Sequence, residues 1–223
     1  MTTLTGIVES ASAGETGFDT DDMLNLANAR LFYQSGYRFC LRYLSLSQEN
    51  PQDLNKKEAD AILNAGLALM LVQHVLSPGW RPSTTLGENH GKASVENART
   101  VGFPAKVNVW LDLEGIDLHA TFQDVVNYCN NWFDQVNEAG YLPGLYVGAN
   151  SILNSSELYK DIKFQHYWHS LSTVPDVAVR GYQMTQQGVR QKVHGISIDK
   201  NTTHNDNLNG SVQWFIRKID SQS

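Results

Sequence analysis

With two cysteines in 223 residues, the chain cannot be held together by a disulfide framework. Cys40 falls in an apolar, strand-like run and Cys129 on the apolar stripe of a helix. Both read as buried thiols. Basic clusters are also missing. The formal net charge is −6, and the local pair Lys56-Lys57 is diluted by Glu58 and Asp60. Nucleic acid is thereby excluded as the main partner, because phosphate binding needs clustered Lys and Arg. No run reaches the roughly 18 apolar residues of a membrane span. The opening stretch MTTLTGIVESASAGETGFD has neither a positive n-region nor a long apolar core, so it does not read as a signal peptide. A soluble chain, cytoplasmic as synthesised, is the expectation. The histidines show no metal-ligand spacing. His166 and His169 lie three apart on an apparent strand and would face opposite ways. No metal or other cofactor is expected.

What the chain does have is enough apolar material for one sizeable core, 41% hydrophobic residues with 10% aromatics. No linker or low-complexity segment divides it, so residues 1–223 read as one domain. Strand and helix patterns alternate. Strands are expected at 16–20, 37–44, 67–75, 106–114, 142–149, 164–169, 181–185 and 195–199. Helices are expected at 22–34, 56–65, 92–101, 121–139 and 156–161, with a final one at 212–219, and 77–89 reads as a loop. The helix at 121–139 is the clearest. Phe122, Val125, Val126, Cys129, Trp132, Phe133 and Val136 recur at helical spacing, Thr121 and Asp124 resemble a capping pair, and Gly140 ends it. The run LALMLVQHV is near-continuously apolar, as a parallel strand covered on both faces should be. Regular βα alternation means a parallel sheet, and a count of about eight strands predicts an α/β fold of the closed (β/α)8, TIM-like type.

The acids fall at strand ends. In VNVWLDLEG, side chains alternate, so Trp110, Asp112 and Glu114 share one face, and Val107, Val109, Leu111 and Leu113 the other. The aliphatic face belongs against outer helices, which points the acids inward at the strand's C-terminal end, where active sites of such barrels lie. GISID repeats the arrangement, with Ser197 and Asp199 opposite Ile196 and Ile198. Asp19 ends the first strand, a neighbour of the last in a closed barrel. Asp19, Asp112, Glu114 and Asp199 are therefore expected to converge on one mouth. Crowded carboxylates cannot all ionise, and one kept protonated near neutral pH can protonate a glycosidic oxygen. The aromatics Trp110, Tyr146, Trp168 and Tyr182 are candidate platforms for sugar faces.

The stretches GFDT, GYRFCLRYL, KKEADAILNAGLALMLV, LDLEG and GYLPGLYVG resemble the bacterial glycoside-hydrolase-like domain family, itself similar to the family 25 glycoside hydrolases, the N-acetylmuramidase-type lysozymes. The resemblance covers about residues 16–200. It implies that Glu114 is the general acid/base. Asp112 would be the nucleophile or would orient attack by an N-acetyl group, and Asp19 and Asp199 would position substrate and tune pKa values. Tyr182-Gln183 resembles a W-Q-Y-type stretch of the penultimate strand, with its order changed. Two stretches depart from family 25: DTDDML lacks the signature that usually follows the first Asp, and 77–89 has no close counterpart.

The reading that follows is a glycosidase cutting β-1,4 bonds of peptidoglycan, with a polysaccharide as partner. Such an enzyme would reach the wall by phage-type lysis or through a secretion apparatus. Two rivals make different demands. A non-catalytic carbohydrate-binding barrel would bind wall fragments equally well after Glu114→Gln. A metal-dependent deacetylase built on Asp112, Asp199 and a histidine would fail with a chelator.

Overall fold

The computed structural model describes residues 3–46 and 50–217. Eight strands close into a barrel: β2 (Thr16–Thr20), β3 (Phe39–Leu44), β4 (Ala68–Gln73), β5 (Asn108–Leu113), β6 (Leu142–Val147), β7 (His166–His169), β8 (Met184–Val193) and β9 (Ile196–Thr203). The pairs from β2 to β8 are parallel, and β9 runs antiparallel to both of its neighbours, β8 and β2. Outer helices α1 (Leu26–Gln34), α2 (Lys56–Asn64), α3 (Thr84–Val101), α4 (Phe122–Glu138) and α5 (Ser155–Lys160) fill the crossovers from β2 to β7. The fold is thus α/β and TIM-like, with the regular βα alternation broken at the end. Among the described residues no helix joins β7 to β8, and β8 and β9 form a hairpin.

Strand alternation sorts the core into two layers. Phe39, Leu41, Met70, Val72, Trp110, Trp168 and Met184 fill the barrel. Cys40, Leu69, Leu71, Val109, Leu111, Leu113 and Ile198 pack outward beneath the helices, with Cys129 among them. Both cysteines are free and buried, as expected. Thr121 caps α4, its hydroxyl accepting from the Asp124 amide at 3.1 Å.

Three elements differ from expectation. Residues 84–89, read as loop, are the first turns of α3, capped by Ser83. Gly87 and Gly91 weaken the helical pattern in sequence, but a Cβ on Gly87 would sit 2.3 Å from the Tyr128 carbonyl and one on Gly91 2.7 Å from Gln135 Cβ. The glycines lower helix propensity and permit close packing of α3 on α4. The expected helix at 212–219 is instead a strand, β10 (Gln213–Ile216), while residues 218 and 219 lie outside the described residues. Trp214 faces the barrel interior and Phe215 the outer layer, a period of two that a short aromatic run shares with an amphipathic turn. β10 pairs with β1 (Ile7–Ser10), a strand the sequence did not announce, and touches β4 through Phe215↔Leu69. No helix among the described residues is long and apolar enough to cross a membrane.

One buried ion pair ties the wall together. Arg42, on the outer face of β3, is fully buried and donates Nε to Glu58 of α2 at 2.7 Å. Its other nitrogens reach the Thr20 and Gln52 carbonyls at 2.6 and 2.9 Å, and Glu58 also accepts from the Leu24 amide at 2.8 Å. Removing one partner of such a pair strands the other without solvent. Glu58→Ala is therefore expected to lower unfolding free energy in urea by about 3–5 kcal/mol. Lys92→Ala, which breaks an exposed pair with Glu88 on α3, should cost under about 0.5 kcal/mol.

Candidate active site

At the C-terminal ends of β2 to β5 lies a cleft of about 190 Å³, lined by Asp19, Asp112, Glu114 and Asp199 together with Tyr43, His74 and Arg190. The four sequence-predicted acids are brought together. Asp19 and Asp199 form a registered pair across β2 and β9. Asp112 points into the barrel from β5, and Glu114 follows two residues later, on the same face. Glu114 fits because β6 is followed by glycine: a Cβ on Gly148 would lie 2.4 Å from Glu114 Cβ. The Glu114 carbonyl is fixed by the Trp80 indole N–H at 2.8 Å.

Every one of these carboxyls is driven toward its protonated form. Burial raises Asp19 from 3.8 to about 7, the Asp199 charge adds to this, and hydrogen bonds from Asn201 and Gln186 oppose it. Asn201 Nδ2 donates to Asp19 Oδ2 at 2.7 Å and Gln186 Nε2 at 3.1 Å. Burial pushes Asp112 well above the carboxylate range, reinforced by the charges of Glu114 and Asp19. Asp112 is 5% exposed and its Oδ1 has no hydrogen-bond partner among the described residues. Burial also raises Glu114, which is half-buried and more accessible than Asp112. Asp199 is raised by burial, with Arg190 pulling it down and Asp21 pushing it up. A site of this kind holds protons at neutral pH on groups a solvent-facing neighbour would lose.

The expected binding residues divide. Tyr146 adjoins the acids, its hydroxyl donating to Gln186 Oε1 at 3.0 Å. Trp110 and Trp168 are 0% and 1% exposed and form the floor beneath the cleft, so neither offers a face for a sugar. Trp168 acts indirectly: its indole N–H holds Asn201 Oδ1 at 2.8 Å, and Asn201 in turn holds Asp19. Tyr182 and Gln183 are outside the cleft. The Tyr182 hydroxyl donates to the Pro175 carbonyl, and buried Gln183 bonds Asp206, Gln165 and Tyr167. Two causes act: β8 begins at Met184, which faces inward, so Gln183 has outward parity and the next inward position is Gln186, while Tyr182 precedes the strand at the end away from the mouth.

Tyr43, His74, Gln186, Arg190 and Asn201 were missed. Tyr43 and His74 sit at or just beyond the C-terminal ends of β3 and β4, where an inward polar residue is itself a signal, whereas Gln186 and Asn201 lie within β8 and antiparallel β9 and carry no such signal. Arg190 has a further cause. Gly188, Val189 and Arg190 on β8 lie between the pairs Gln187↔Lys200 and Gln191↔Ile198, three residues opposite Asp199 alone. This bulge turns Arg190 to Asp21, with which it hydrogen-bonds. Among the described residues no group of three or more His, Cys, Asp or Glu is arranged to hold a metal ion.

The Asp19 shift has a stability consequence. Between 3.8 and about 7 the native state keeps a proton that the unfolded chain has lost. Stability from this group therefore falls as pH rises through that window and levels off above it. Asp19→Asn keeps an acceptor for Asn201 and Gln186 and removes the titration. The variant should gain about 1–3 kcal/mol on the wild type between about pH 4 and pH 8, read by urea unfolding at both. A constant difference across that range would refute the assignment.

No curated protein matches the chain. Among solved structures it resembles the catalytic domain of endolysin ply40 from bacteriophage P40 of Listeria monocytogenes, at 19% identity and TM-score 0.63, covering 89% of this chain and 97% of that one. It also resembles the lysozyme of Streptomyces coelicolor, at 13% identity and TM-score 0.58, covering 90% and 94%. A family 25 glycosyl hydrolase from Bacillus anthracis gives 14% identity and TM-score 0.57 over 88% and 94%. At such identities the likeness is one of fold. The family model described as "Rv2525c-like, glycoside hydrolase-like domain" matches residues 30–212, a span that holds Asp112, Glu114 and Asp199 and begins after Asp19. The chain belongs to that Rv2525c-like, glycoside hydrolase-like domain family.

Proposed function

We propose that the protein is a glycosidase that hydrolyses β-1,4 bonds of peptidoglycan by carboxylate acid/base chemistry. The observation that carries this reading is the convergence of Asp19, Asp112, Glu114 and Asp199 on one cleft with all four carboxyls raised. Glu114 is the general acid: burial favours its protonated form, and it is exposed enough to meet a glycosidic oxygen. Asp112 is deeper, with Oδ1 unpartnered among the described residues; burial favours its neutral form, in which it orients an N-acetyl group by hydrogen bonding, and it serves as nucleophile only once its proton has left. Asp19 and Asp199 hold the substrate and set the charge around the pair, and Tyr146 lies at the cleft's edge. The muramidases and lysozymes of similar fold support the choice of substrate. A wall substrate lies beyond the cytoplasmic membrane, so the protein acts after export or lysis.

Purified peptidoglycan digested by wild type and by Glu114→Gln, with soluble products read by mass spectrometry, tests this. The wild type should release muropeptides with new N-acetylmuramic acid reducing ends. The variant should be slower by about 100-fold or more, the size of a lost general acid. If several wall types yield nothing with either protein, the catalytic reading fails for peptidoglycan.

A further inference from the structure

Between Asp19 on β2 and Asp112 on β5, the barrel wall is made by β3 and β4. Their inward residues at the mouth are not acids. Parity puts Tyr43 in line with Phe39 and Leu41, and His74 in line with Met70 and Val72. The two rings stack, with centroids 4.5 Å apart and planes at 19°. The proposed acid/base chemistry gives neither of them a task.

His74 is held in one orientation. Its Nε2 lies 2.7 Å from Asp53 Oδ1. A carboxylate can only accept, so Nε2 carries a proton, and Nδ1 is the ring edge left for a ligand, an acceptor when the ring is neutral. Asp53 is 7% exposed and is itself anchored, Oδ2 accepting from the Ser45 hydroxyl at 2.7 Å, while Ser45 Oγ accepts from the Asn50 amide at 2.9 Å. Tyr43 covers a face of the ring. The His74 side chain stays 32% exposed on the cleft side, and Nδ1 makes no hydrogen bond among the described residues. An imidazole oriented by a buried carboxylate, clamped by an aromatic ring and left with one free edge at the mouth is preorganised for a ligand.

We infer that His74 is a substrate-binding residue of this cleft, its Nδ1 accepting a hydrogen bond from a donor on the sugar ring bound beside the acids. This inference rests on the glycosidase reading for the identity of the ligand as a glycan. Two donors share this chemistry, the amide N–H of a 2-acetamido sugar and a ring hydroxyl. A second polar atom in the same cleft, Asp112 Oδ1, lacks a partner among the described residues, so the mouth presents polar atoms to a ligand on both its β4 and β5 walls. Burial, followed by the charges of Asp19, Asp112, Tyr146 and Glu114, keeps the Tyr43 hydroxyl protonated, which makes it a donor beside the His74 acceptor.

A crossed pair of substitutions separates binding from mere support. His74→Gln reaches Asp53 with its amide, as Nε2 does, and loses the acceptor at the Nδ1 position. His74→Asn places its amide oxygen near the Nδ1 position and gives up the bond to Asp53. Binding of oligosaccharides of N-acetylglucosamine, and of cello-oligosaccharides of the same length, is measured by calorimetry on wild type and both variants. KM and kcat on peptidoglycan are measured alongside. The expected result is a loss of about three- to tenfold in affinity for His74→Gln, the range of one net hydrogen bond, seen in KM more than in kcat, with partial recovery in His74→Asn. A penalty confined to the acetamido sugar assigns the donor to the amide, and one shared by both series assigns it to a hydroxyl. Full affinity in His74→Gln with loss in His74→Asn would mean that the ring only braces Asp53, and the inference falls. Failure of both saccharides to bind the wild type overturns it as well. Should saccharides bind and walls stay intact, the glycosidase reading fails alone, and the affinity series still decides the role of His74.

Discussion

Closure of the barrel through β2 and β9 is the constraint from which the site follows. The two strands pair antiparallel with Asp19 opposite Asp199, so hydrogen-bonding the last strand to the first forces two carboxylates together. Three strands farther round, β5 adds Asp112 and Glu114. Burying acids is costly, and the fold meets the cost locally. Asn201 and Gln186 each donate to Asp19, and each is held in turn, Asn201 by the Trp168 indole and Gln186 by the Tyr146 hydroxyl. The aromatic floor is thereby part of the electrostatics. A tryptophan that no sugar can touch still decides where the amide beneath Asp19 points.

The outer face of each wall strand carries a polar anchor next to an inward mouth residue. On β3, Arg42 faces out to Glu58, and its neighbour Tyr43 faces in. On β4, Gln73 faces out, its Oε1 accepting from Ser94 of α3 and from the Trp132 indole of α4, both at 2.6 Å, and its neighbour His74 faces in. A slip of one residue in either strand would bury the mouth residue and expose the anchor to the barrel interior. Buried polar pairs of this kind add little net stability over well-packed apolar groups, yet a misregistered strand leaves them unpaired. The anchors therefore act on register, and register sets which side chains line the cleft.

Much of this is legible along the chain. In VNVWLDLEG the alternation is unbroken, and the structure divides those side chains between interior and exterior as the pattern says. The 121–139 helix was readable because seven apolar residues keep one period and both ends carry stop signals. What failed to show did so for identifiable reasons. β8 is ten residues long with a mostly exposed, polar outer half, since it runs past the end of β7 and no layer covers it there. Polarity without alternation reads as loop. Glycines hid the start of α3 because propensity and tertiary fit disagree at Gly87. Gln183, placed with the site by its likeness to a W-Q-Y-type stretch, has the parity opposite to inward-facing Met184 and Gln186, and Tyr182, a candidate sugar platform, precedes the strand at the end away from the mouth.

The relation between fold and chemistry follows from the same division. The aliphatic layers that build the barrel can be met by many sequences, which is why identities of 13–19% coexist with a shared architecture. The acids are under a different pressure. Asp112 is buried with an oxygen unpaired, and Asp19 gives up stability as pH rises, so neither is explained by what the fold needs. Groups that a barrel would be more stable without, gathered at the end where barrels bind their ligands, are the part of this chain shaped by something other than folding. The hairpin of β8 and β9 belongs with them. It replaces a covering helix with a bulged strand pair that stands at the rim and delivers Arg190 to the acids, at the cost of leaving its own outer half uncovered.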